Sequence, residues 1–259
     1  VGERGQLFTV IISGVTDLAG NATVGLVTST FTTIPAPRGP VAIDLQTAGD
    51  YALLSGTGAT LGAAALIDGD VGVITGPATG FVLVADPSGL FSTSDLVTGR
   101  VFTAADIEPT PSALVTAGEH LEDALADGAG RVDPDGVNLG AGEIGGLVIE
   151  PGLYQWAGAV TLTTNVTLDG GPDDEWIMQM GAAFSVTAAI STQLTGGAQA
   201  KNVYWVVTGA VAVGAGGHLD GNVLSRAAVS AGANATVDGR MLGQTTVGIG
   251  AGVVVTQPE

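Results

Sequence analysis

The sequence predicts a mainly β fold, a β-solenoid of short stacked strands accompanied by one long α-helix. Three observations predict it. In the carboxyl third, residues recur at a spacing of 18: Val211, Gly214 and Leu219 fall on Val229, Gly232 and Val237, and these fall on Val247, Gly250 and Val255. Asp220–Gly221 matches Asp238–Gly239 at the same step. One solenoid coil needs a repeat of about 18–25 residues made of short alternating runs broken by glycine. The second observation is composition, with 42 glycines in 259 residues, 46% hydrophobic residues and only 5% aromatics. Such a chain is too apolar to be disordered and is rich in the residue that sharp corners require. Third, a single stretch reads as a long helix.

Taken in chain order, residues 1–33 form a segment of their own. "LFTVIISGV" (7–15) is strand-like, "TDLAGNA" (16–22) carries the Asp, Gly and Asn expected of a turn, and "TVGLVTSTFTT" (23–33) reads as one or two strands. "IPAPRGP" (34–40), with three prolines in seven residues, reads as a linker. The β-helix domain is placed at 41–259. Within it "TPSALVTAGEHLEDALADGAG" (110–130) is the helix. Pro111 suits its first turn, Leu114, Ala117, Leu121 and Ala124 or Leu125 form an apolar stripe, and Gly128 is expected to stop it. Less regular versions of the coil appear at 159–171 and 184–197. In "VYWVV" (203–207), Val203, Trp205 and Val207 alternate with Tyr204 and Val206, and Trp176 is expected at the place of Tyr204 or Trp205 one coil earlier.

Charge excludes several partners. The net charge is −18, from 25 acidic residues against 7 basic ones. With no basic patch to neutralise phosphates, nucleic acid is not a partner, and anionic lipid surfaces are disfavoured. No apolar run is long enough for a membrane span, so membrane insertion is not expected. The absence of cysteine removes disulfides, thiolate nucleophiles and cysteine metal sites. The chain begins at Val1, from which a processed, secreted protein is expected.

No set of residues points to catalysis, a cofactor or a metal. Glu119, His120, Glu122 and Asp123 look like a hydrolytic cluster but lie opposite the apolar stripe, so a solvated helix face is expected. "RVDPDG" (131–136) and "GPDDEW" (171–176) sit in predicted turns and read as solvated corners; the first lacks the full ligand series of a calcium loop. His120 and His218 are far apart in sequence. The chain is read as not an enzyme.

"DLQTAGDYALLSGTGA" (44–59), "IDGDVGV" (67–73), "DEWIMQMGAAFSV" (174–186), "LTGGAQAKNVYWVVTGAV" (194–211) and "LDGNVLSRAAVSAGANATVDGRMLGQTTV" (219–247) occur in an order that resembles the DUF3494 ice-binding protein family over residues 41–257. That resemblance implies a right-handed, roughly triangular β-helix with the helix along one side, and a discontinuous fold in which the opening segment lies beside the last coils. Residues 1–33 resemble the closing strands of a bacterial immunoglobulin-like domain. Family members that bind ice use a flat, weakly polar face with outward Thr, Ala, Gly or Asn in ranks.

If Val160, Val186, Val211, Val229 and Val247 point inward, the outward neighbours include Thr161, Thr187, Ser185, Ser230 and Thr246, the candidate face for ice or a partner. Alanine and glycine interrupt their hydroxyl ranks. Two functions follow. The first is a non-catalytic extracellular or cell-surface structural protein, bacterial or archaeal. Its subunits join head to tail in a filament, with a strand containing Leu7, Phe8, Val10 and Ile12 added to a neighbour. The alternative is an ice-binding protein acting through the flat face. The partner is accordingly a second copy of the chain or an ice surface.

Overall fold

The computed structural model describes residues 7–12, 19–21, 27–32 and 36–258. The chain divides into two compact units, Val1–Pro37 and Arg38–Glu259. In the first, Leu7–Ile12 pairs antiparallel with Val27–Thr32, Leu7 opposite Thr32 and Ile12 opposite Val27. Much of the turn-rich connection at 16–22 lies outside the described residues.

The second unit is a β-solenoid whose parallel strands stack in three sheets. In the sheet nearest the helix, the strands run side by side as Gly136–Val137, Gly152–Trp156, Trp176–Met180, Val203–Val207, Asn222–Ser225, Met241–Gly243, Tyr51–Ser55, Asp70–Val73 and Val97–Thr103. Tyr154, Met178, Trp205, Val223, Met241, Leu53, Val71 and Val101 form one rank across it. All of them face the solenoid interior. The alternate rank, with Val206, Leu224, Leu242 and Leu54, faces the helix and packs on Leu114, Ala117, Leu121, Ala124 and Leu125. Val203–Val207 is therefore buried along its whole length because both its faces are covered.

The strand order makes the fold discontinuous, as the resemblance implies. From Tyr51–Ser55 the chain proceeds to Val97–Thr103 at one end of the sheet. The helix, Thr110–Gly130, then carries it to Gly136–Val137 at the other end. At 1.5 Å per residue a helix of 21 residues is about 31 Å long, and the residues between it and Gly136 cover the rest of the roughly 38 Å that nine strands span at about 4.8 Å apart. Later coils stack back until Met241–Gly243 pairs with Tyr51–Ser55 and closes the sheet.

Several sequence expectations need correction. Gly128 does not stop the helix. It is a buried helical residue where a Cβ would lie 2.7 Å from Val206 Cγ2 and 2.8 Å from Ile43 Cδ1. The helix end is satisfied instead by Gln179, whose Nε2 donates to the carbonyls of Gly128 at 2.7 Å and Arg131 at 2.9 Å. Trp176 aligns with Val203, and Met178 takes the place of Trp205 one coil earlier. The face bearing Glu119, His120, Glu122 and Asp123 is not all solvated: Glu122 binds Arg226 and Gln244, and His120 Nδ1 pairs with Thr47 Oγ1 at 2.8 Å.

The linker reading of 34–40 also ends too late, because residues from Arg38 onward belong to the solenoid unit. Asp174, in the supposed solvated corner, is buried. It accepts hydrogen bonds from the Arg38 backbone N at 2.7 Å and Nε at 3.0 Å, while Glu175 N donates to the Arg38 carbonyl. Those bonds hold the Asp174 carboxyl below its ordinary pKa although burial opposes them. Next to it, burial pushes Glu175 up to about 7, and its Oε2 is enclosed with no hydrogen-bond partner. Asp135, in the other corner, accepts from Leu153 N at 2.9 Å.

Two predictions follow. A Cβ on Gly239 would be driven into the Gly221 carbonyl oxygen of the coil below, whereas one on Gly158 meets nothing. Gly239→Ala is expected to lower the unfolding free energy in denaturant melts by about 1–3 kcal/mol or more, with Gly158→Ala close to wild type. The second concerns Glu175. Its carboxyl keeps its proton in the folded chain up to about 7 but loses it near the ordinary glutamate value when unfolded. Stability contributed by the neutral form is thus complete at low pH and lost as pH rises toward 7. Glu175→Gln should flatten that decline, raising Tm at pH 8 (about one unit above the titration) and leaving it unchanged at pH 4.

Candidate functional site

A second sheet of the solenoid has an open outer face. Among the described residues its strands run side by side as Val160–Leu162, Phe184–Val186, Val211–Val213, Val229–Ala231, Thr246–Ile249, Gly58–Leu61 and Ala78–Thr79. In the three-residue strands alternation leaves one outward residue between two inward ones. The inward ends are apolar and buried, with Val160, Phe184, Val211, Val229, Val247 and Ala59 in one rank. Phe184 stacks on Trp205 inside the solenoid, ring centroids 4.7 Å apart.

The outward residues form a central rank of Thr161, Ser185, Ala212, Ser230, Gly248, Thr60 and Thr79. A rank on either side is fixed by backbone hydrogen bonds that extend the ladder. On one side lie Ala183, Ala210, Ala228, Thr246, Gly58 and Pro77; on the other Thr187, Gly214, Gly232, Gly250 and Gly62. Successive residues of a rank are one strand spacing apart, about 4.8 Å, and neighbouring ranks are two residues apart, about 6.6 Å. The backbone sets both intervals.

The five candidate residues are thus all on this sheet, but not in the ranks first expected. Thr161 lies beside Ser185, not Thr187, because Val160 aligns with Phe184 and not with Val186. Thr187 belongs to a flanking rank, where its hydroxyl donates to the Leu162 carbonyl at 2.6 Å. Thr246 occupies the other flank, opposite Gly58. Ser230 is central and exposed, its hydroxyl donating to the Val211 carbonyl at 3.2 Å. Thr60 and Thr79, from an earlier part of the chain, complete the central rank. A Cβ on Gly248 would meet only Thr60 Oγ1, at 3.6 Å, so packing does not demand glycine there.

The electrostatics of this face set it apart. No Asp, Glu, Lys or Arg occurs in these strands or in the flanking ranks, in a chain of net charge −18. The third side of the solenoid is the opposite case. There Asp220, Asp238, Thr256 and Asp68 follow one another across neighbouring strands. Sequence reading expected no metal-ligating set, yet that side brings His218, Asp220 and Asp238 together. Two features announced them: His218 and Asp220 are two apart on one strand, and Asp238 follows Asp220 by one 18-residue step.

The candidate assembly strand finds its partner within the chain. Leu7, Phe8, Val10 and Ile12 stand opposite Thr32, Phe31, Ser29 and Val27, with Val10 and Ile12 exposed. No helix among the described residues is long and apolar enough to cross a membrane.

Comparison with known proteins points the same way. Residues 53–255 match the family model described as ice-binding-like. An ice-binding protein of Lentinula edodes is 44% identical over 182 residues, covering 69% of this chain and 63% of its own length. Ice-binding protein K3-B1 of Typhula ishikariensis is 40% identical over 193 residues, covering 73% of this chain and 79% of its own. The match therefore spans less than two thirds of the Lentinula protein and about four fifths of the Typhula protein. The crystal structure of a glycosylated ice-binding protein from an Arctic yeast superposes with a TM-score of 0.82 at 32% identity, covering 86% of this chain and 96% of that one. Since a yeast protein is among them, the family does not confine its members to bacteria or archaea, and the narrower source expected from the sequence is withdrawn.

Proposed function

The chain belongs to the ice-binding-like family, and from that premise we propose that it binds ice through the uncharged outer face of the second sheet. The observation that carries this reading is the segregation of charge. A chain of net charge −18 keeps the strands and flanking ranks of this face free of ionisable side chains. A charged group facing ice would have to give up liquid hydration for a lattice that cannot reorganise around it. Small neutral groups avoid that cost.

Affinity here must come from many weak contacts made together. Freezing a flexible surface to match a lattice would consume the gain, so the face has to be rigid beforehand. The ladder provides that rigidity, since the outward residues are glycine, alanine, serine or threonine, with short side chains, and every strand but the two at the ends is paired on both edges. Thr161, Thr60, Thr79, Thr187 and Thr246 each offer a hydroxyl and a methyl with a restricted χ1. Ser185 and Ser230 add hydroxyls, and Ala212 and Gly248 keep the centre shallow. Recognition by shape and spacing suits a rank whose hydroxyls are interrupted.

An extracellular or cell-surface location follows, because that is where ice is met. The work is adsorption, without a catalytic step or cofactor. Head-to-tail assembly yields first place, since the relatives are named for ice binding and the strand at Leu7–Ile12 is paired within its own chain. The bacterial immunoglobulin-like reading of residues 1–33 stays a sequence resemblance.

The experiment is thermal hysteresis and ice-recrystallisation inhibition with Ala212→Tyr and Ser230→Tyr. Both positions are exposed and central, so the ring should stand off the face and leave the core unchanged. The double variant is expected to retain the wild-type melting curve and fall below about a tenth of wild-type hysteresis. Undiminished hysteresis would place the ice-binding surface elsewhere.

A further inference from the structure

We propose that His218, Asp220 and Asp238 form a surface site for a first-row divalent cation of the zinc class, on the acidic side of the solenoid and separate from the ice-binding face. One ligand atom from each of the three lies within 4.8 Å of the others. His218 Nε2 is 3.2 Å from Asp220 Oδ1. Asp238 stands directly opposite Asp220 on the next parallel strand, His218–Asp220 against Thr236–Asp238.

The register makes a cation useful. Two carboxylates directly opposed on neighbouring strands repel one another. Asp220 is 7% exposed, so water screens its charge poorly. Among the described residues, no lysine or arginine forms an ion pair with Asp220 or Asp238; His218 is the basic side chain that faces them. A divalent ion between the carboxylates would turn this repulsion into a link between consecutive coils.

The surrounding hydrogen bonds already orient the ligands. Thr236 Oγ1 holds His218 Nδ1 at 2.7 Å, which leaves Nε2 turned toward the carboxylates. Thr192 Oγ1 donates to Asp220 Oδ2 at 2.7 Å, leaving Oδ1 on the side of His218. Such outer partners set the tautomer of an imidazole ligand and the orientation of a carboxylate. One imidazole nitrogen with two carboxylate oxygens suits zinc and its first-row neighbours better than calcium or magnesium, which take oxygen ligands. At zinc bond lengths, tetrahedral ligand atoms lie roughly 3.4 Å apart, so the exposed Asp238 side chain has only to rotate inward. Water would complete the coordination.

The test is isothermal titration of the chelator-treated full chain with zinc chloride, with calcium and magnesium chloride in parallel and thermal melts of each mixture. One zinc ion per chain and a rise in Tm are expected, with no response to calcium or magnesium at the same concentration. His218→Gln and the exposed Asp238→Asn should each weaken zinc binding at least about tenfold, while His120→Gln binds as wild type. Apo melts show whether each variant is folded. Failure to saturate by about 1 mM zinc, a far weaker affinity than three such ligands should give, overturns the site. So does wild-type affinity in folded His218→Gln and Asp238→Asn chains.

Discussion

The structure depends on one constraint: each coil must lie on the next in register. Parallel pairing fixes the interval between coils and aligns like with like, so a position that faces inward in one coil faces inward in all of them. Val211, Val229 and Val247 show it in the interior, and Ala212, Ser230 and Gly248 beside them show it on the surface. The two ranks are inseparable. Burial of the first immobilises the second, and a regularly spaced outer face results from a regular core. Glycine belongs to the same constraint, because the Gly221 carbonyl occupies the space a side chain at Gly239 would need.

Three sides of one solenoid then serve three ends. The helix covers the first and adds its own buried cluster, with Leu114, Leu121 and Leu125 fully enclosed, each worth about 1.5–3 kcal/mol of transfer free energy. Charge gathers on the third, where Asp220, Asp238 and Asp68 follow one another across neighbouring strands. The second is left neutral. A charge elsewhere on the molecule costs little, whereas one on the face applied to a crystal would disrupt every neighbouring contact.

Much of this was legible in the sequence, for reasons that also explain the errors. The 18-residue step located the strands from Val211 onward because the corners there have constant length. Earlier coils keep the same strand cores but not the same corners: Val160 and Phe184 are 24 residues apart, Phe184 and Val211 are 27 apart. No single period spans those insertions, so the sequence pattern aligns Val186 with Val160, whereas the larger Phe184 fills that place and Val186 stands beside Leu162. The displacement moved Thr187 into the central rank and obscured Thr60 and Thr79, which come from an earlier part of the chain. Helix bounds were readable from its stripe, but its C-terminal contact with Gln179 was not, since those residues are about fifty positions apart. For Asp174 and Glu122 the sequence alone points to solvent, because acidic residues in turns and on polar helix faces usually lie there. Arg38 and Arg226 change that locally, through contacts no local pattern contains.

We propose that a rigid uncharged face in this acidic solenoid adsorbs to ice. The most direct measurement is partitioning of the fluorescently labelled wild-type chain into slowly grown polycrystalline ice, beside a labelled acidic protein of similar size that has no ice affinity. The chain is expected to be incorporated into the ice while the control stays in the liquid. Exclusion of both proteins to the same extent would contradict it.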